Sequence, residues 1–591
     1  GALINAIPQG EDCDDTDPSI NPYTTPDCTV EHCGQLTGNE TWSASVSHRV
    51  TCDVDVQGPN NPVLVVEPGV VVEFEAGTEL LVGDTTAGTL IIDAAAQPVL
   101  FTSAEPVPSN GDWDGVFISD KQSGSSIDGL IIEYAGGAGG STSAGLSLDL
   151  GTTELEVQNL TSQRNAGDGI RVLSGEPWIH DTYLLDNDRN GLYVTANHGL
   201  ERLATIEVAS FTNNVVLGNA EYPVSIPGSH ADEIFFSTGD FTTRTDTDGD
   251  LLPDDLEAVL GTNPNLADTD GDGIDDREDM GVNLFLDPAN PNGIDRIELL
   301  SGTMRTTGTW RQHDLPYYAS SNQLILVEDG PEAVLNIDPG ILVYFDVGAE
   351  MFVGSGAQGA LIVGDYPNPS PIGDEVRFAA EPDLVINNLN WDGLYIGPNG
   401  GDSLIAGLIV EGGGCNGRGN LWISSSDPSI AHSVFRDSDN AGIYVDGIGA
   451  GPRITNTDMS TNDTYGLFVA STSGIYREIV GASFFDNSFT DNGTTSVALP
   501  PNYVGELDSS STFADPDQTK RVRIHGGSVL DDATWQKLDA DYEVLGDISV
   551  SGPRDPILFV EPGNTFYMAG GSSVSAGGDG AMIIEAGPPE D

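Results

Sequence analysis

The strongest constraint this chain places on its own fold is a short internal period. Glycine followed by alternating apolar residues recurs as GLSLD at Gly145, GIRVL at Gly169 and GLYVT at Gly191, spaced 24 and 22 residues apart. Further on, GNLWI, GIYVD and GLFVA begin at Gly419, Gly442 and Gly466, spaced 23 and 24. A unit of this length, made of short β-branched runs and polar turns without helical periodicity, supplies one coil of a parallel β-helix. One coil cannot bury its Leu, Ile and Val side chains alone, whereas stacked coils share one interior. An antiparallel sandwich also has short strands, but it does not readily hold this period in a constant glycine–apolar phase. Asn165, Asn190 and Asn214, then Asn440 and Asn462, fall near the coil corners. Asparagine tolerates left-handed backbone there and can ladder from coil to coil.

A longer repeat frames the short one. LVVEPGVVVEFEAGTELLVG, from Leu64, matches LNIDPGILVYFDVGAEMFVG, from Leu335, without a gap at an offset of 335 − 64 = 271. A third copy, LFVEPGNTFYMAGGSSVSAG, begins at Leu558, and a threonine–tryptophan pair precedes each copy, at Trp42, Trp310 and Trp535. The first two copies continue into FTSAEP and FAAEP and then into Trp113-Asp114-Gly115 and Trp391-Asp392-Gly393. Tryptophans at equivalent places are expected to staple their coils, although Trp113, Trp391, Trp422 and Tyr444 also offer an alternative as a sugar-stacking strip. By the offset 558 − 64 = 494, Asp591 corresponds to position 97, ahead of any WDG coil in that copy. The third copy is therefore expected to be cut short, to continue into further modules, or to dock its open edge on another subunit.

Between the first two copies lies an acidic stretch with two loops in register. The first carries Asp246, Asp248, Asp250, Asp254 and Glu257, and the second Asp268, Asp270, Asp272, Asp276 and Asp279. These fall at positions 1, 3, 5, 9 and 12 of a twelve-residue loop, the spacing that wraps carboxylate oxygens around one Ca²⁺. Position 7 would add the backbone carbonyls of Leu252 and Ile274, completing the six to eight oxygens a large hard cation takes. Gly273 supplies the turn at position 6 of the second loop, where the first loop has Leu251. Only Asp254 to Leu260 reads as helical, ended by Gly261 and Pro264, so the stretch is not a helix–loop–helix sensor. It resembles the tandem calcium loops of thrombospondin type 3 repeats in bacterial surface proteins. The resemblance implies structural Ca²⁺ that stiffens a self-repelling connector.

Composition narrows the function. The formal charge is −71, and the only lysines are Lys121, Lys520 and Lys537. That balance argues against nucleic acid or an anionic membrane as partner, because phosphate neutralisation needs Lys and Arg. No run of eighteen apolar residues is present, so no direct membrane insertion by a helix is expected. Four of the five cysteines, Cys13, Cys28, Cys33 and Cys52, cluster near the start. An even set of this kind favours disulfides and an oxidising, extracellular setting. Three pairings are open, with Cys13–Cys28 and Cys33–Cys52 preferred because they close short local loops; Cys415 is expected to be a buried or incidental thiol. The segment Gly10 to Pro22, with Asp12, Asp14, Asp15 and Asp17, is similar to a DCDDTDPSINP-type metal-binding motif of bacterial secreted proteins. It lacks that motif's upstream acids, and a disulfide-pinned turn explains the same residues.

The pattern as a whole resembles right-handed parallel β-helix modules of bacterial secreted and surface proteins, which share the pectate-lyase-like fold. The expected fold is all-β, with tandem right-handed parallel β-helix modules joined by a calcium-binding linker. The expected segments are a Cys/Asp-rich start (1–33), a first module (34–240), the calcium linker (241–295), a second module (296–498), a linker (499–520) and an incomplete third module (521–591). Galacturonan hydrolases of that fold carry NTD, paired aspartates, GHG and an RIK-like stretch. Here Asn456-Thr457-Asp458 is present in a corner phase, without GHG or RIK. No catalytic residue is assigned. The expected role is that of a calcium-stabilised structural or adhesive protein at the cell surface, in a stalk, fibre or filament. Its expected partners are copies of itself stacked head to tail, or surface glycans. The alternatives are a polysaccharide lyase or hydrolase and a calcium-dependent carbohydrate-binding protein.

Overall fold

The computed structural model describes residues 29–137, 143–195, 211–234, 245–250, 252, 254, 257, 262–269, 275–276, 285, 290–313, 315–368, 375–382, 391–415, 417–475, 483–514 and 521–584. They form parallel β-helices. The chain divides into two compact units, Gly1–Glu298 with His313–Leu315, and Leu299–Gln312 with Pro316–Asp591.

In the first unit every strand pairs in parallel with strands one coil away. Glu40–Trp42 pairs with Val63–Val66, which pairs with Thr89–Asp93, and so along the axis. Longer strands bend across two faces. The first half of Ser47–Val56 pairs with Val71–Phe74 and its second half with Glu79–Val82. Along Val63–Val66 and Val71–Phe74 every second residue is buried, as follows from a strand that turns alternate side chains inward.

The second unit carries the same architecture. One face is an eleven-stranded parallel sheet that starts at Gly302–Met304 and ends at Phe566–Met568. Within it Thr495–Leu499 pairs directly with Val522–Ile524. The second and third sequence copies thus share one uninterrupted ladder. A short 3-10 turn, Pro501–Glu506, bulges from the coil between them and packs on Gly527–Val529 and Ala533–Trp535.

Coil spacing explains the repeated glycines. Gly145, Gly169 and Gly191 lie side by side on adjacent strands, since Leu146 pairs with Ile170 and Ile170 with Leu192. A Cβ on Gly169 would stand 2.7 Å from the Gly191 carbonyl oxygen and 2.8 Å from Asn187 Nδ2, so the slot admits hydrogen only. In the second unit the expected register is corrected by one residue. Gly419 pairs with Ala441, which leaves Asn420 opposite Gly442. Asn420 fills the slot inward, donating to the carbonyls of Val410 and Arg436 at 3.0 and 2.7 Å.

The corners also differ from expectation in one respect. The left-handed residue is the one before the ladder residue: Arg164, Asp186, Asp437, Thr461 and Asp491 all have positive φ. The residue that follows, Ser438 after Asp437 and an asparagine in the other four, is buried. Asn165 Nδ2 donates to Asn187 Oδ1 at 2.9 Å, Asn187 to Asn219 at 2.9 Å, and Asn219 to Asn292 at 3.1 Å. Each acceptor oxygen also takes the backbone N–H of the neighbouring ladder residue. A corner that would bury unpaired amides is thereby satisfied. The step from Asn219 to Asn292 shows that the acidic stretch interrupts a coil of the first unit, and that residues after it complete that coil.

One aromatic cluster recurs in both units. Trp113 stacks on Phe74 at 4.0 Å and Trp391 on Phe345 at 4.2 Å. Phe101 and Phe378 meet the same phenylalanines edge-on, each at 5.4 Å. Both tryptophans are fully buried, and their indole N–H groups donate to the carbonyls of Glu133 and Glu411. They staple the coil interior and take no part in an outer strip. Cys33 and Cys52 form the expected disulfide across adjacent coils, while Cys13 and Cys28 lie outside the described residues. Cys415 is exposed and not disulfide-bonded, so it is not a buried thiol.

Candidate metal centre

The acidic stretch folds into two loops with the same internal wiring where both are described. Thr247 donates through its N–H and hydroxyl to Asp254 at 2.8 and 2.7 Å, and Thr269 does the same to Asp276 at 2.8 and 2.7 Å. Asp254 N–H returns to the Thr245 carbonyl and Asp276 N–H to that of Ala267, both at 2.8 Å. A threonine that clamps an aspartate seven residues on closes each loop before its following turn, which is helical at Asp254, Glu257 and Asp276.

These loops gather two groups of carboxylates. One oxygen each from Asp246, Asp248 and Asp250 lies within 4.8 Å of the others, and the same holds for Asp250, Glu257 and Asp276. The second group is buried, at 6 %, 0 % and 4 % exposure respectively. Asp250 Oδ1 accepts the Leu252 N–H at 2.7 Å, which tightens the loop around position 5. Asp250 Oδ2, Glu257 Oε2 and both oxygens of Asp248 are buried without a hydrogen-bond partner. Burial, reinforced by the Asp248 and neighbouring carboxylates, pushes Glu257 up to about 7. Burial likewise lifts Asp250 to about 6. A set of inward carboxylates like this is costly unless protons or a cation neutralise it. Hard oxygen donors at this density suit Ca²⁺ better than softer metals.

Of the sequence-assigned ligands, Asp246, Asp248 and Asp250, at positions 1, 3 and 5, lie together, while Glu257, at position 12, groups with Asp250 and not with the other two. Buried Leu252 stands at position 7. Asp254 is held by Thr247 and belongs to neither group. Asp276, assigned to the second loop, instead reaches the acids of the first. Asp268 is described, whereas Asp270, Asp272, Ile274 and Asp279 lie outside the described residues, as does the N-terminal acidic segment.

A second feature was not visible in the sequence. In the second unit a groove of about 820 Å³ lies beside Tyr344, Arg377, Ala379, Gly412, Asp437 and Asp463. Its lining includes the small residues Ala379, Ala380 and Gly412. Arg377 donates to Glu411 Oε2 through Nε at 2.8 Å, and Arg436 holds the other carboxylate oxygen. Arg377, Glu411 and Arg436 are 34 and 25 residues apart, so only the coil register brings them together. Both guanidinium groups are committed to that carboxylate. Asn456-Thr457-Asp458 is a corner. Asn456 has positive φ, Thr457 N–H donates to the Asn487 side chain at 3.0 Å, and Asp458 accepts the hydroxyls of Ser460 and Ser488 at 2.6 and 2.5 Å.

Compared with known proteins, the chain matches no family model, and neither a curated protein nor a solved structure matches it.

Proposed function

We propose that this chain is a calcium-stabilised structural protein of the cell exterior, a β-helical component of a stalk, fibre or filament. The observation that carries this reading is the buried group Asp250, Glu257 and Asp276, in which Asp250 Oδ2 and Glu257 Oε2 have no hydrogen-bond partner, inside an insertion of a solenoid coil. Ca²⁺ there would draw both loops onto one another and hold the insertion against its coil. Removing it would leave mutually repelling carboxylates where the chain must be closed. The Cys33–Cys52 disulfide and the −71 charge fit an oxidising, ion-rich medium outside the cell. Stacking onto copies of itself is the partner reading that goes with this role.

Limited proteolysis tests it. With Ca²⁺ the segment 245–290 should resist cleavage. With a chelator it should be cut first, while the far-UV circular dichroism of the β-helices persists. Equal cleavage in both conditions would count against a calcium role. The groove beside Arg377 and Asp437 favours a second reading, binding or cleavage of surface polysaccharide. Release of reducing ends or unsaturated products from glycan polymers would establish it.

A further inference from the structure

The second loop sends a carboxylate into the first. Asp276 occupies position 9 of its own loop, where it accepts two hydrogen bonds from Thr269, yet one of its oxygens lies within 4.8 Å of oxygens from Asp250 and Glu257. A carboxylate has about four lone-pair sites, so the two bonds to Thr269 leave capacity for an ion. The residue with the same place in the first loop, Asp254, makes the same threonine clamp and joins neither carboxylate group. The unpartnered oxygens Asp250 Oδ2 and Glu257 Oε2 belong to residues 6 % and 0 % exposed, beside a third acid, Asp276, that is 4 % exposed. Three acids from two loops thus enclose one small buried volume. Asp276 is also anchored: Thr269, which clamps it, accepts the Asn263 N–H at 2.7 Å, tying that clamp to the segment joining the loops.

We propose that the ion of the first loop is held by both loops, with Asp276 completing the oxygen set of Asp250 and Glu257. The pair then takes up calcium as one unit and not as two independent sites. This rests on the calcium reading above. The consequence is an on–off closure: neither loop reaches full affinity until the other is in place.

The test uses the full-length chain and Ca²⁺ itself, titrated against a fluorescent chelator. Asp270→Asn disables the second loop at position 3, leaving the first-loop ion as the one measured. In that background Asp276→Asn should weaken the remaining ion tenfold or more, whereas Asp254→Asn should change it less than threefold. The reverse ranking, or no effect of Asp276→Asn, would overturn the shared site while leaving calcium binding intact. Loss of both ions in Asp270→Asn alone, with the circular dichroism of the coils unchanged, is the limiting form of the same coupling and supports it. A wild-type chain that takes up no Ca²⁺ overturns the calcium reading and this inference together.

Discussion

At the scale of single residues, the corners carry most of what makes the solenoid possible. Stacked strands lie about 4.8 Å apart, so a side chain repeated at one corner faces its own kind along the axis. Asparagine profits from this, because an amide both donates and accepts. Aspartate does not, and the left-handed corner columns keep acids apart: Asp437, Thr461, Asp491 in one, Asn159, Asp181, Asn213 in another, His432, Asn456, Asp486 in a third. In a chain of charge −71 that alternation removes repulsion where it would be strongest. Replacing Asn187 by alanine would orphan the Asn165 N–H and the Ser162 carbonyl, both now bonded to it. At about 1–3 kcal/mol per buried unpaired group, the first unit should lose about 2–6 kcal/mol, read from urea unfolding. A second residue-scale expectation concerns acid. His32 Nε2 and His48 Nδ1 lie 2.9 Å apart, buried beside Trp42, with Glu40 at 3.2 Å from His32. Burial holds His48 below the ordinary histidine value, so the folded chain resists a proton that the unfolded chain accepts. Glu40 is held low by its bond to His32, so its carboxylate also contributes stability that acid removes. The stability of these first coils should be complete above about pH 6.5 and fall as the pH drops through that value. Hydrogen exchange in Thr29–Gln35 and Ser47–Val56 should report it, with His48→Gln flattening the response.

At the scale of elements, the parts the sequence revealed are those set by local periodicity. The coils, the stapling Trp113 and Trp391, and the loop acids Asp246, Asp248 and Asp250 all follow from spacing along the chain. What stayed hidden depends on contacts between coils or loops. Asn420 usurps a glycine slot because its side chain finds carbonyls of two neighbouring coils. Arg377, Glu411 and Arg436 meet only once the register is known, and Asp276 meets Asp250 and Glu257 only once the two loops are folded. The metal-free cluster has its own pH signature. With Glu257 at about 7 and Asp250 at about 6, the folded loops bind protons that the unfolded chain releases. Their contribution is full below the ordinary carboxylate value and is lost as the pH rises through 6 to 7. Chelated protein should therefore be cut within 245–290 more slowly at pH 5 than at pH 8. Saturating Ca²⁺ should erase or reverse that difference, since the ion requires the deprotonated acids. Identical cleavage at both pH values under chelation would mean that the acids are solvated and the cluster is open.

At the scale of the whole molecule, sequence repeats and structural units do not coincide. The internal copies place a boundary near residues 499–520, yet the second unit runs through it. Leu499 pairs with Ile524, and both are fully buried. The 3-10 turn Pro501–Glu506 is fastened to the next coil by the Leu530 N–H, which donates to the Asn502 side chain at 2.9 Å. In a stack where each coil rests on its neighbours, stability is a sum of coil terms and interface terms, so a defect spreads only as far as its interfaces. Leu499→Ala removes apolar contacts at this seam and should cost about 2–5 kcal/mol. The loss should appear as faster hydrogen exchange in Val522–Ile524 and Tyr542–Val544, with Gly393–Ile396, several coils away, exchanging at the wild-type rate. If the strands after the seam kept their wild-type rate, the copies would be independent domains on a tether. The uninterrupted ladder would then contribute nothing to holding them. If exchange rose uniformly from Gly302–Met304 to Phe566–Met568, the unit would be one cooperative block with interface terms too large for local opening. An increase confined to the seam and the coils beyond it would place this chain between those limits, where a solenoid can fray from an edge while its body stays closed.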